Sequence, residues 1–293
     1  MTSTTAGTSG DGRAAPPPPS KTKVALRGVS ETMLITLRAR ADDARQPHPV
    51  LRDTWAADIL DQLDYSRPPT LGEKAFFATV LARARLLDSW TAEFLNAHPE
   101  ATVLHLACGL DSRALRLAWG PRVRWIDIDM PEVVALRQKL LPDPAASGSD
   151  YRLVATSVTE ASWLEDVPAD RPTVVVMEGL LPYLKEAEVW QLLERICERF
   201  PSGQIMFDIV GATFLRLQAL NRPIAKTGAL MHFALDDGHD LEMVHPKLRV
   251  KDVLRIWQIP GREIFPWYLR LLLWVFSWLP GFRTTNSYMR YEF

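Results

Sequence analysis

Cysteine, net charge and a leading apolar segment are scarce in this sequence, which argues against several classes of protein. The chain has only two cysteines, Cys108 and Cys197, so it carries neither a disulfide framework nor a cysteine-rich metal site. Its formal net charge of −1 gives no electrostatic basis for binding nucleic acid. The first residues lack the basic-then-apolar pattern of a signal peptide. Together these absences predict a protein of the reducing cytoplasm.

The histidines supply no metal-binding motif. His232, His239 and His245 lie in one irregular stretch, but their spacing fits no known motif and no acid or cysteine completes a ligand set. We therefore predict that the protein holds no metal.

No apolar run is long enough to span a membrane. Pro266 and Pro280 bound the most apolar stretch, 264–282, and leave less than the ~20 residues that a span needs. Arg270 also interrupts it. We interpret the stretch first as a buried or pocket-lining helix, and second as a segment that contacts a membrane surface.

The stretch from Val103 to Glu132 has the order of a nucleotide-binding α/β unit. The apolar run 103–107 predicts a buried strand, and Gly109 predicts a turn. Asp111 is a good N-cap residue for a helix over 114–119, and a second strand, 123–128, follows. Strand, glycine turn, helix and acid-ended strand form the first half of a Rossmann-like fold.

The turn lacks two glycines of a dinucleotide-binding loop, since Ala107 and Ser112 stand where further glycines would be needed beside Gly109. Asp111 lies where a phosphate would bind, and a carboxylate there repels a phosphate but attracts a cation. S-adenosylmethionine has a sulfonium and an ammonium and no phosphate. We therefore predict this cofactor and disfavour a dinucleotide-dependent oxidoreductase.

Two acids close the second strand. Asp129 follows Gly109 at about the 20-residue spacing expected for an acid that binds the ribose. Asp127 lies two positions earlier and faces the same side of an extended strand. We predict that both acids, with Ala107 and Gly109, contact the cofactor.

Three segments, HLACGLDSRALRL, WIDIDMPEVVALRQKLL and VVVMEGLLPYL, resemble the leucine carboxyl methyltransferase-like group, and within it the polyketide O-methyltransferases of the tetracenomycin type. The resemblance spans nearly the whole chain after the first two dozen residues. It implies a class I methyltransferase fold, which is α/β and Rossmann-like, with a mostly parallel seven-stranded sheet, a helical N-terminal cap and a C-terminal lid. It also implies a role in natural-product biosynthesis.

The same resemblance assigns three further cofactor contacts. Arg83 corresponds to the arginine that pairs with the cofactor carboxylate, with Arg85 as the second choice. Ser157 and Val158 correspond to the contacts at the adenine edge. Many relatives have an acid at the position of Ser157, so this chain loses charge assistance there.

A continuous β-branched run, 173–177, predicts a buried parallel strand that ends at Glu178 and Gly179. Ligands of open α/β sheets bind at the carboxyl ends of the strands. We therefore expect Gly109, Asp129 and Ser157 to converge with these two residues in one crevice. Glu178 either faces the positive charge of the cofactor or caps the helix that follows.

These patterns divide the chain into four parts. Residues 1–22 are predicted to be a disordered tail, because they are rich in Ser, Thr, Gly and Pro. Residues 23–100 form the helical cap, and 101–211 form the cofactor-binding core. Residues 212–293 form the acceptor-side lid and a terminal strand that returns to the sheet.

The predicted function is O-methylation of a small aromatic, polyketide-like or carboxylate acceptor. Methyl transfer from a sulfonium mainly requires that donor and acceptor are aligned. Tyr183 and His232 are the predicted acceptor-side catalytic residues. Two alternatives stay open, a protein C-terminal carboxyl methyltransferase and a non-catalytic ligand-binding protein on the same fold. The sequence does not indicate an oligomeric state.

Overall fold

Seven strands form one sheet in the computed structural model, which describes residues 29–64, 71–220 and 228–293. The strands are β1 Thr102–Leu106, β2 Arg124–Asp129, β3 Asp150–Ala155, β4 Thr173–Met177, β5 Gly203–Val210, β6 Arg249–Arg255 and β7 Asn286–Glu292. Their order is β3-β2-β1-β4-β5-β7-β6. The first five are parallel, and β7 runs antiparallel to both β5 and β6. The predicted Rossmann-like, mostly parallel seven-stranded sheet is therefore confirmed.

Helices pack on both faces of the sheet. They are α1 Val29–Ala44, α2 Thr54–Gln62, α3 Leu71–Ala97, α4 Arg113–Arg116, α5 Pro131–Leu140, α6 Ser162–Glu165, α7 Glu186–Arg199, α8 Ala212–Arg216 and α9 Trp267–Trp278. No helix within the three described ranges has the length and apolar character to cross a membrane.

The core lies on both faces of the sheet because the central strands are buried on both sides. Every residue of β1 and β4 is buried. On one face, Leu104 and Val175 pack in a cluster with α7, whose apolar side includes Leu193. On the other face, Val103 and Val174 pack in a cluster with α3 and α9. This two-sided burial explains why β4 is a continuous β-branched run.

A third apolar cluster attaches the first two helices to the edge of the site. Leu37 of α1 and Ile59 of α2 pack with Leu110, which follows the turn after β1. Helix α1 therefore lies over the carboxyl end of β1. The predicted tail, 1–22, falls outside the described residues.

The structure corrects two predicted elements. Helix α4 was expected over 114–119 but ends at Arg116, and the indole of Trp119 donates a hydrogen bond to the carbonyl of Ala114 that a longer helix would use (2.8 Å). The second element is β6, which forms within the stretch that was predicted as the acceptor-side lid. Three basic residues and an aspartate interrupt the alternation of apolar and polar residues that would indicate a strand. Such charges are tolerated because β6 is at the edge of the sheet.

Gly203 begins β5 directly beside β4. The two strands lie so close at this point that there is no room for a side chain. A Cβ at this position would overlap the carbonyl oxygen of Thr173 and the ring of Phe293. We expect Gly203→Ala to lower the free energy of unfolding by about 1–3 kcal/mol, since β5 would have to move. Urea denaturation followed by circular dichroism measures this change.

Gly120→Ala is the matched control. A Cβ at Gly120 would be 4.0 Å from its nearest neighbour, the carbonyl oxygen of Pro99. We expect unchanged or slightly higher stability there. Equal effects of the two substitutions would contradict the close approach of β4 and β5.

Candidate functional site

A cavity of about 520 Å³ lies at the carboxyl ends of the parallel strands. The chain order reverses between β1 and β4, which are neighbours in the sheet although β2 and β3 separate them in sequence. Such a reversal opens a crevice between the loops that leave the two strands, and ligands of α/β folds bind there. Residues that follow β1, β2, β3 and β4 all line the cavity.

The structure brings most of the predicted site residues to this cavity. Nine of them line it, namely Arg83, Ala107, Gly109, Asp129, Ser157, Val158, Glu178, Gly179 and Tyr183. Asp127 and His232 are not among the lining residues.

The turn after β1 holds the carboxylate of Asp129 in place. Ala107 and Gly109 both have positive φ, 54° and 53°, which turns the chain sharply across the end of β1. The amide of Gly109 then donates a hydrogen bond of 2.6 Å to Oδ2 of Asp129, and the amide of Met130 donates one of 2.7 Å to Oδ1. Burial raises the pKa of Asp129, and these amide hydrogen bonds oppose the effect. The acid is thus fixed at the wall of the cavity.

Glu178 lies between two arginines at the end of β4. Its Oε1 accepts a hydrogen bond from Nε of Arg83 (3.1 Å), and its Oε2 accepts one from Nη2 of Arg113 (2.6 Å). Burial alone would raise the pKa of Glu178, but the charges of these arginines lower it. The short helix that follows has Leu180 at its N-cap, so the expectation that Glu178 caps it is wrong.

Asp208, at the end of β5, is a site residue that the sequence did not identify. It accepts hydrogen bonds from Nη1 of Arg83 (2.7 Å) and from the amide of Gly179 (2.6 Å). Burial would lower the pKa of Arg83, but the charges of Asp208 and Glu178 more than offset it, so the pKa is raised. An acid at the carboxyl end of a buried strand was the available signal.

Asp111 is surrounded by arginines, which changes the charge at the turn. Its carboxylate pairs with Arg40 of α1 (3.0 Å), with Arg116, and more distantly with Arg113 (3.6 Å). Burial would raise its pKa, but these charges hold the pKa well below its usual range. The same arginines also pair with Asp53, Asp88 and Glu178, so the carboxylate of Asp111 belongs to a shared network of buried charges. The expectation that Asp111 disfavours a phosphate stays a prediction.

His105 connects this charged cluster to the interior of the sheet. Its Nε2 lies 3.1 Å from Nη1 of Arg113, and its Nδ1 lies 3.2 Å from Oδ1 of Asp127. Because arginine only donates hydrogen bonds, Nε2 accepts and Nδ1 carries the proton that is given to Asp127. The imidazole is therefore engaged on both sides.

Asp127 was predicted to contact the cofactor, but its side chain binds protein groups instead. It accepts hydrogen bonds from Arg137 and from the hydroxyl of Tyr151 (2.8 Å), as well as from the indole of Trp125 (2.7 Å). Burial would raise its pKa, but Arg137 and the His105 hydrogen bond lower it. Asp127 is fully buried beneath the site, and its partners His105 and Tyr151 lie on the neighbouring strands β1 and β3.

His232 was predicted as an acceptor-side catalytic residue, and its side chain is exposed outside the cavity. Its amide donates to the carbonyl of Pro182 (2.7 Å), and this pairing places the neighbouring Met231 in the cavity wall. Arg85, the second choice for the cofactor carboxylate, is also exposed and does not line the cavity.

Tyr183 and Ser157 line the cavity with defined partners. The hydroxyl of Tyr183 forms a hydrogen bond with Thr32, and burial raises its pKa to about 12. Ser157 Oγ lies 2.8 Å from Oγ1 of Thr159. Tyr183 is therefore a neutral phenol near neutral pH.

The remaining wall of the cavity is apolar and comes from helices outside the strand ends. These residues include Phe76, Phe214, Met231, Leu269, Leu273 and Phe276. One cavity thus has a charged end at the strands and an apolar end beneath α9.

Comparison with known proteins adds independent information. Residues 32–197 match the family described as leucine carboxyl methyltransferase. The chain is 43% identical to the tetracenomycin polyketide synthesis O-methyltransferase TcmP of Streptomyces glaucescens, over 78% of this chain and 83% of that protein. It is 39% identical to the S-adenosyl-L-methionine-dependent methyltransferase dpfgK of Gibberella zeae, over 93% and 98%. A putative methyltransferase structure from Thermobifida fusca shares the fold, with a TM-score of 0.53, 14% identity, and coverage of 86% and 93%.

Replacing Asp127 should destabilise the fold. Asp127→Asn leaves the buried charge of Arg137 unpaired, so we expect the free energy of unfolding to fall by about 3–5 kcal/mol. Asp170→Asn is the control, because Asp170 pairs with Arg124 at a site where its side chain is 52% exposed. That change should cost under about 1 kcal/mol. Urea denaturation of both variants tests the difference.

The ion pair of Asp127 with Arg137 also predicts how the stability of the fold depends on pH. The folded-state pKa of Asp127 is lowered, so its stabilising contribution is complete above the unfolded pKa of about 3.9 and is lost as the pH falls through the folded pKa. Below about pH 5, the wild type should therefore lose stability more steeply than Asp127→Asn. Parallel curves would contradict a charged Asp127 in the folded protein.

Proposed function

Because the chain belongs to the leucine carboxyl methyltransferase family and is an S-adenosylmethionine-dependent methyltransferase, we propose that it methylates an oxygen of a small aromatic, polyketide-like molecule. The observation that carries this proposal is that one cavity has both a charged end and an apolar end. Its volume of about 520 Å³ is in the range of small-molecule sites.

The charged end fits the cofactor. Asp129 would bind the ribose hydroxyls, and the two amides that fix its carboxylate at the cavity wall support this role. Arg83 would pair with the cofactor carboxylate, and its contacts with Glu178 and Asp208 support this role because they fix the guanidinium at the cavity wall. Bound S-adenosylmethionine would supply a methyl group already activated by the sulfonium.

Further groups complete the cofactor site. Ser157 and Val158 lie after β3 and would border the adenine. Ala107, Gly109 and Gly179 form turns whose backbone lines the cavity, and all three have positive φ. Small residues at these turns let the backbone approach a ligand closely.

The apolar end fits the acceptor. Phe76, Phe214 and Phe276 offer flat aromatic surface, and Leu273 and Met231 fill the space between elements. An aromatic ring would be held there by burial and ring contacts. This apolar wall favours a small ring system over the polar C-terminus of a protein, which was the alternative acceptor.

The acceptor oxygen should be ionised before it binds, which favours a carboxylate over an ordinary phenol. A phenol would need a general base to remove its proton. Four described lining residues that could accept a proton, His105, Asp111, Glu178 and Asp208, are already bound by arginine side chains. Tyr183 is protonated near neutral pH. A carboxylate needs no base, so these residues have only to align the reactants and exclude water.

Asp129→Ala should weaken cofactor binding while the fold is retained. We expect the dissociation constant of S-adenosylhomocysteine to rise about 10–100-fold, since a hydrogen bond to a charged group is lost. Isothermal titration calorimetry measures it. Glu132→Gln is the control, because Glu132 is an exposed acid at the start of α5. Unchanged affinity in Asp129→Ala would remove the ribose contact from the proposal.

Tyr183→Phe should leave turnover within about 10-fold of the wild type, because we expect that Tyr183 is not a general base. Loss of a general base would typically lower turnover by about 10²–10⁴-fold. For an aromatic carboxylate acceptor, kcat should also be flat between about pH 6.5 and 8.5. A loss above about 100-fold, with S-adenosylhomocysteine affinity unchanged, would instead make Tyr183 a catalytic residue.

A further inference from the structure

Helix α9 is apolar on two opposite sides. Leu269, Leu273 and Phe276 face inward and line the cavity. The outward side is exposed, with Trp267 at 73%, Trp274 at 59% and Trp278 at 66%. With Leu271 and Val275, which are also exposed, these residues follow the helical period and form one stripe, here termed the tryptophan face. The tryptophan face is formed by Trp267, Leu271, Trp274, Val275 and Trp278.

The tryptophan face is not explained by the core or by the cavity. A helix in a protein interior is apolar all round, but this side of α9 is open to solvent. A contiguous exposed apolar patch of this kind marks a site of interaction. Leu217 and Leu220, which follow α8, are also exposed. Gly281, just after α9, lies close to Thr213 of α8, so α8 is next to the end of α9.

The charges around this face are mostly positive. Between 256 and 285 the exposed charged residues are Arg262, Glu263, Arg270 and Arg283. Arg270 lies on α9 itself at the border of the stripe, and Arg283 donates to the carbonyl of Ser277 in the last turn of α9 (3.0 Å). The face therefore complements an anionic surface.

A second copy of the chain is a poorer match. In a two-fold contact the same surface meets itself, which would bring the arginines of both copies to one apolar seam. Like charges at such a seam oppose association. Helices that lie in the interface of a lipid bilayer typically have tryptophan and leucine on one side, bordered by basic residues. The tryptophan face has this composition.

We propose that the tryptophan face rests on the surface of an anionic phospholipid bilayer. Helix α9 would lie in the plane of the interface, with its arginines at the head groups and its tryptophans at the acyl boundary. Its inner side is the wall of the cavity, so an apolar acceptor dissolved in the membrane would lie one helix away from the apolar end. The docking depends only on the outer surface of α9 and does not require the acceptor proposed above.

Co-sedimentation with lipid vesicles tests this docking. The full chain is mixed with vesicles of phosphatidylcholine and phosphatidylglycerol, or of phosphatidylcholine alone. We expect binding to the anionic vesicles that weakens as salt is added, because the arginine contacts are screened. The double variant Trp274→Gln/Trp278→Gln should bind at least about 10-fold more weakly.

Two controls separate docking from a general effect. Met243→Gln replaces another large exposed apolar residue (78% exposed), which lies before β6, and should bind like the wild type. Calorimetric titration with S-adenosylhomocysteine should give equal affinity in all variants, which shows that the cofactor site is intact. Anionic vesicles whose phosphatidylcholine is brominated in its acyl chains should quench the tryptophan emission of the wild type more strongly than that of Trp274→Gln/Trp278→Gln, which keeps only Trp267 of the three tryptophans on this face.

Three results would overturn the proposal. The first is no binding of the wild type to anionic vesicles. The second is equal binding by wild type and Trp274→Gln/Trp278→Gln. The third is a wild-type dimer, seen by light scattering, that the same double variant converts to a monomer while vesicles are not bound, because a second copy would then cover the face.

Discussion

The ion pairs of Glu178 with Arg83 and Arg113 are the interaction on which the site depends. All three charges are largely buried, and a buried charge is tolerated only with a partner in good geometry. Asp208 fixes the other side of Arg83, and Asp111 engages Arg113. Arg83 and Arg113 each pair with at least two acids, so several contacts fix each guanidinium. The polar end of the cavity is therefore held in one arrangement before a ligand binds, which is what an enzyme that aligns reactants requires.

These charges also join separate parts of the chain. Arg40 comes from α1, Arg83 from α3 and Arg113 from α4, while their acidic partners end or follow strands of the sheet. Helices α1 and α3 are thus bound to the sheet by ion pairs, and α1 also packs in the apolar cluster around Leu110. Helix α9 closes the opposite, apolar end. A charged end on rigid strands and an apolar end under helices suit a constant cofactor and a variable acceptor.

The sequence predicted what depends on local pattern. The β-branched run gave the bounds of β4, and the spacing from Gly109 found Asp129, since both follow from the geometry of a strand and its turn. Asp127 shows the limit of such reasoning. It lies two residues before Asp129 and therefore points to the same face of the strand. Its side chain is nevertheless bound beneath the site by Arg137 and Tyr151, which come from other elements. The exposure of His232 likewise depends on a distant pairing with Pro182 that no local pattern reveals.

In the proposed complex, the cofactor binds at the carboxyl ends of β1 to β4, with its ribose at Asp129 and its carboxylate at Arg83. A crystal structure of the protein with S-adenosylhomocysteine tests it most directly. We predict density in this cavity with the ribose hydroxyls within hydrogen-bond distance of Asp129, the carboxylate beside Arg83 and the adenine next to Ser157. Density elsewhere, or a ligand whose ribose lies away from Asp129, would contradict the account.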